Sequence, residues 1–204
     1  ICIDNYLNYN IHDNIISYYY GNGIAIYNSG GTQGIHQFDI TNNVISCNYS
    51  KKSSVSNTGI KIYQSEANIL EDNYIYNNDV GISILNYSTA KITGSASIPC
   101  SSLPQKIINN YDHQIYLSRA TVPIDFHYNQ IYEVAEDSYF IYELTGAQIP
   151  TQWVATQNFW NEVANPTAFI YTTLLPICNP VCGPHKTSAA ETNFDSAVNF
   201  IIAG

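Results

Sequence analysis

The chain has 204 residues, 45% of them hydrophobic and only 11% charged, and a formal net charge of −9. That length suits one domain with a sizeable core, and the acidic balance argues against polyanionic partners such as nucleic acid or anionic membrane surfaces. No apolar run approaches the roughly 20 residues that span a bilayer.

The chain opens mid-pattern with Ile1-Cys2-Ile3, contains no methionine, and shows neither the basic nor the apolar region of a signal peptide. It reads as a fragment of a larger protein, so the missing leader says nothing about location. From there an asparagine followed two residues later by a large apolar side chain recurs at Asn14/Ile16, Asn43/Ile45, Asn73/Ile75, Asn129/Ile131 and Asn158/Trp160. The gaps are 29, 30, 56 and 29 residues, and the long one is twice 28. A fixed period in this range marks a solenoid. The absent member is expected near Cys100-Ser101, where Pro99 and Pro104 interrupt the pattern.

A second phrase follows each asparagine: Gly23-Ile24-Ala25-Ile26, Gly59-Ile60-Lys61-Ile62 and Gly81-Ile82-Ser83-Ile84, with weaker versions at Gln114–Leu117 and Tyr139–Ile141. Alternate residues are apolar, which is the strand period. The expected fold is all-β, a parallel β-helix of short strands with about 29 residues per coil and coils stacked about 4.8 Å apart. Its asparagines form a hydrogen-bonded ladder from coil to coil. The glycines before Ile-x-Ile are expected to supply positive φ at tight turns. An ordinary β-sandwich with polar turns leaves the constant period unexplained.

Three surface loops are expected, at 28–34, at 49–57 and at 93–106, from their Ser, Gly, Asn and Pro content. The helix is assigned to residues 1–161 and ends at Gln157-Asn158-Phe159-Trp160-Asn161. Residues 162–186 then read as a Pro/Cys cap or linker, in which Cys178 and Cys182 suit a local disulfide in an extracellular protein. Five cysteines leave one over. Over 187–204, Ser188 with Glu191 forms a capping box, and Phe194, Val198, Ile201 and Ile202 share a helical face, so a short helix is expected to open a further module.

The phrases Asn-Tyr-Ile-Tyr-Asn-Asn-Asp-Val-Gly-Ile-Ser-Ile and Asp-Ile-Thr-Asn-Asn-Val-Ile resemble the repeats of right-handed parallel β-helix proteins of the pectin-lyase-like superfamily. The closing Asn158-Phe159-Trp160-Asn161 is similar to the Asn-Tyr-Trp-Gly signature of many secreted bacterial β-helices, with Phe for Tyr and Asn for Gly. The segment after it resembles the linker in large surface proteins of gliding bacteria that leave through the type IX secretion system. The resemblance implies a secreted or cell-surface bacterial protein, and the superfamily holds lyases, hydrolases, adhesins and non-enzymatic stalks.

Enzymes of this family act on polysaccharides, the hydrolases through converging carboxylates. Their Asn-Thr-Asp, Asp-Asp and Gly-His-Gly motifs are missing from this chain. The local candidates for chemistry are Asp112-His113, with Asp125 and His127 a strand or coil away and Glu143 beyond them; a histidine beside a carboxylate can act as a general base. Solvated turn residues are the plainer reading. His12 and His127 stand four coils apart, roughly 19 Å at the strand spacing, too far to share a proton or metal.

For binding, Tyr18, Tyr19, Tyr20 and Tyr49 offer rings that stack on sugar faces, with packing under the 51–57 loop as the plainer reading. No metal site or cofactor is expected. Turns such as Asn77-Asn78-Asp79 offer calcium only one carboxylate each. The expected function is a non-catalytic spacer or adhesin module contacting a polysaccharide or surface glycan, with the secretion machinery as a second partner. The alternative is a fragment of a polysaccharide lyase or glycoside hydrolase.

Overall fold

The structure, a computed structural model, describes residues 1–5, 8–29, 38–48, 56–94, 105–118, 126–127, 129–132, 139–144, 152–154, 170–171 and 199–201. At 38, 127, 130, 132 and from 139 onward it describes the backbone alone. Among these residues every regular element is a strand, and no helix is long and apolar enough to cross a membrane.

After β1 (Cys2–Asp4) the strands come in groups of three, each group making one coil. The first coil is β2 (Tyr9–His12), β3 (Ile15–Ser17) and β4 (Asn22–Tyr27). The second is β5 (Phe38–Thr41), β6 (Val44–Ser46) and β7 (Thr58–Tyr63). The third is β8 (Glu66–Ile69), β9 (Tyr74–Tyr76) and β10 (Val80–Leu85). A fourth follows with β11 (Thr89–Thr93), β12 (Gln105–Ile108) and β13 (His113–Ser118), and a fifth with β14 (Phe126–His127), β15 (Asn129–Tyr132) and β16 (Tyr139–Leu144). β17 (Gln152–Val154), β18 (Ile170–Tyr171) and β19 (Asn199–Ile201) complete the set.

Each coil contributes one strand to each of three sheets. The first sheet runs β1-β4-β7-β10-β13-β16-β18, the second β2-β5-β8-β11-β14, and the third β3-β6-β9-β12-β15. Every pairing within them is parallel. Repeated passage through three parallel sheets is consistent with a parallel β-helix.

The alternating pattern sends an isoleucine column inward from each sheet, and a second from the first sheet through Ile26, Ile62 and Ile84. Ile24, Ile60, Ile82 and Ile115 pair across the first sheet, Ile11, Ile40 and Ile69 across the second, and Ile45, Ile75, Ile107 and Ile131 across the third. All but Ile11 are fully buried, each contributing about 1.5–3 kcal/mol of transfer free energy. The column is what fixes register, because a slip of one residue would turn it to solvent.

The period is less even than its mean. Ile11 to Ile40 and Ile16 to Ile45 are 29 residues apart, but in the first sheet Ile26 to Ile62 spans 36 and Ile60 to Ile82 only 22. The long step contains the 49–57 insertion and the short one has none. Two of the expected loops are also shorter than their composition suggests. Asn57 is buried at the end of one, while Thr93 closes β11 and Gln105 and Lys106 belong to β12 at the margins of another.

Turning three times per coil needs residues that tolerate positive φ, and asparagine and aspartate do so best among residues other than glycine. Asp13, Asn42 and Asp72 take this role between the second and third sheets. Tyr18, Asn48, Asn77 and Asn109 take it before the first sheet, and Asn5, Asn28, Gln64 and Asn86 after it.

The glycines before Ile-x-Ile do something else. Gly59 and Gly81 have no positive φ. A Cβ on Gly81 would lie 2.5 Å from the Gln114 carbonyl oxygen and 2.9 Å from Ile107, and one on Gly59 would lie 2.6 Å from the Gly81 carbonyl oxygen. They are glycines because neighbouring coils approach too closely for any side chain.

At the C-terminal end, Asn199–Ile201 is strand β19, antiparallel to β17 with Phe200 opposite Trp153. Backbone pairing has overridden the helical spacing expected there. The rest of 187–204 and the cap residues 162–186, apart from β18, lie outside the described residues, as do Asn158, Cys178 and Cys182.

Gly81→Ala is expected to lower stability by about 1–3 kcal/mol, as overpacking does in a closed interior, measured by urea denaturation. A change near zero would contradict the close coil contact.

Candidate functional site: the ladders and the corner before the first sheet

The first ladder stands between the second and third sheets. Asn14 Nδ2 donates to Asn43 Oδ1 at 2.9 Å, Asn43 Nδ2 to Asn73 Oδ1 at 3.1 Å, and Asn73 Nδ2 to Gln105 Oε1 at 3.0 Å. Gln105 Nε2 then donates to Asn129 Oδ1 at 2.8 Å. The rung expected near Cys100-Ser101 is therefore Gln105, whose longer side chain carries the same amide to the same place. The other amide hydrogens reach main-chain carbonyls of Ile11, Thr41, Ile40 and Leu70, so each rung also closes its corner.

Two further ladders escaped sequence reading. After the first sheet, the Ser29 and Ser65 amides donate to the hydroxyls of Ser65 and Ser88 at 3.0 and 3.1 Å. Before the first sheet, Asn78 Nδ2 donates to Asn110 Oδ1 at 3.0 Å, and Asn110 Nδ2 to Gln114 Oε1 at 2.7 Å. Asn78 and Asn110 are almost fully buried. Asn77-Asn78-Asp79 is thus no exposed polar turn: Asn77 bends the chain while Asn78 and Asp79 lie inside. The available signal was the doublet. In Asn42-Asn43, Asn77-Asn78 and Asn109-Asn110 the first residue has positive φ and the second is a rung.

The corner before the first sheet gathers most of the chemically interesting candidates. In the first coil Tyr18 and Tyr20 are exposed, at 66% and 73%. Tyr19 turns inward, its hydroxyl donating to Asn78 Oδ1 two coils away. Its carbonyl accepts from the Cys47 thiol at 3.2 Å. Burial, reinforced by Cys47 and Asp79, pushes the Tyr19 hydroxyl well above its ordinary pKa, so it stays a donor. Tyr19 is structural, in contrast to its two neighbours.

One row along this corner runs through Gly21, Asn57, Asp79 and Asp112. The Gly21 amide donates to Asn57 Oδ1 at 2.8 Å, and the Asn57 amide to Asp79 Oδ2 at 2.7 Å. The amide of Asp112 donates to the Asp79 carbonyl at 2.7 Å. Asp79, only 8% exposed, is a buried carboxylate within the bend at 77–79. Asp112 and His113 are half-buried at the entrance to β13, and the His113 ring stacks 5.9 Å from that of Tyr116. The tyrosine trio and Asp112-His113 therefore share one edge, three coils apart, or roughly 14 Å at the strand spacing.

The remaining candidates fall elsewhere. His127 ends β14 in the second sheet, opposite Thr93, whereas Glu143 lies in β16 opposite Leu117 in the first. Asp125 and Tyr49 lie outside the described residues. Among the described residues no three His, Cys, Asp or Glu side chains converge as metal ligands would. Cys2 is exposed and Cys47 buried.

Comparison of the chain with protein-family models, with curated proteins and with solved structures returned no match.

Two carboxylates at the second-to-third corner titrate in opposite senses. A hydrogen bond from His12 (2.7 Å), then one from Asn42, holds Asp13 below the ordinary carboxylate range. Burial pushes Asp72 above it. Between the unfolded and the raised folded pKa the folded protein binds more protons at Asp72, so stability falls as pH rises through that window. Asp72→Asn keeps a side chain suited to positive φ and removes the charge. The variant is expected to exceed the parent in stability at pH 7 by more than it does below about pH 3, where the carboxyl is protonated in both states. Urea denaturation at the two pH values measures this, and a pH-independent difference would contradict it.

Proposed function

We propose that this chain is a non-catalytic module of a secreted or cell-surface bacterial protein, a right-handed parallel β-helix of the pectin-lyase-like kind. In this reading it serves as a rigid spacer or adhesin segment that contacts carbohydrate. Right-handedness is favoured because parallel strand–crossover–strand connections almost always take that hand. The three ladders support the spacer role: most buried polar side chains are committed to holding one coil on the next. Export by the type IX machinery is part of the proposal and rests on the resemblance of the segment that follows the closing phrase.

The observation that carries the contact role is Tyr18. Equivalent corners place Asn48, Asn77 and Asn109 at positive φ, and Tyr18 holds the same conformation with its ring exposed. A bulky residue there costs about 1–2 kcal/mol, a strain of the sort that persists where a side chain is needed for function. Tyr20 presents a second exposed ring two residues on, and exposed tyrosine rings stack on sugars through their faces and bond them through their hydroxyls.

The enzymatic alternative, a lyase or hydrolase, draws on Asp79 and Asp112 on consecutive coils beside His113. A glycan array together with a reducing-end assay separates the readings. The expected outcome is glycan binding without turnover, with binding abolished in Tyr18→Asn while stability rises by about 1 kcal/mol as the strain is relieved. Turnover that disappears in Asp112→Asn would overturn the proposal in favour of the enzyme, and unchanged binding in Tyr18→Asn would remove the tyrosine from the contact.

A further inference from the structure

We draw no further inference here: the strongest candidate, the exposed patch at the edge of the first coil where Ile15 stands beside Tyr18 and Tyr20, carries none because nothing in the structure shows what covers it.

Discussion

Everything in this molecule depends on satisfying the polar groups at its corners. A strand in a parallel stack pairs its backbone with the coils on either side, but a chain that turns three times per coil swings amides and carbonyls inward at every turn. Left unpaired in the interior, each would cost about 1–3 kcal/mol. The answer is a side chain that hydrogen-bonds both to the corner's own backbone and to its counterpart one coil away. Asparagine and glutamine do this at two corners and serine at the third. From Asn43 through Asn73 and Gln105 each rung accepts from one neighbour and donates to the next, so the ladder extends from coil to coil.

Backbone conformation and side-chain chemistry cooperate at these corners. The residue that bends the chain needs positive φ, the next must reach inward with an amide, and an Asn-Asn doublet supplies both. Where the doublet is replaced the consequences are visible. In the first coil, Tyr18 takes the bending position and Tyr19 the inward one, and the phenol crosses past Cys47 to bond Asn78. A small, buried Cys47 leaves room for that reach. Of these two departures Tyr18 leaves its ring on the surface, with Tyr20 exposed two residues on, and the proposed contact role rests on that pair.

The strand alternation and the asparagine spacing made the stacked parallel architecture legible, because both report burial directly. Gln105 was hidden by a change of residue type: a period search on asparagine passes over an amide one methylene longer. The serine ladder was hidden because serine is common in turns for other reasons, and Asp79 because a charged residue beside two asparagines reads as solvent-exposed. At Gly59 and Gly81 the pattern points to positive φ where the structure needs close approach, because a sequence does not distinguish the two uses of glycine. At Asn199–Ile201 helical spacing gave way to pairing with a distant strand, a tertiary effect that local pattern cannot show.

The central claim is that the corner amides are locked from coil to coil, and exchange of the side-chain amide hydrogens measures it most directly. By NMR, the Nδ2 hydrogens of Asn43, Asn73 and Asn78 are expected to exchange with solvent orders of magnitude more slowly than those of exposed Asn10. They should also give cross-relaxation to the rung in the next coil. Exchange at the rate of Asn10, with no inter-coil contact, would mean that the ladders do not hold the stack.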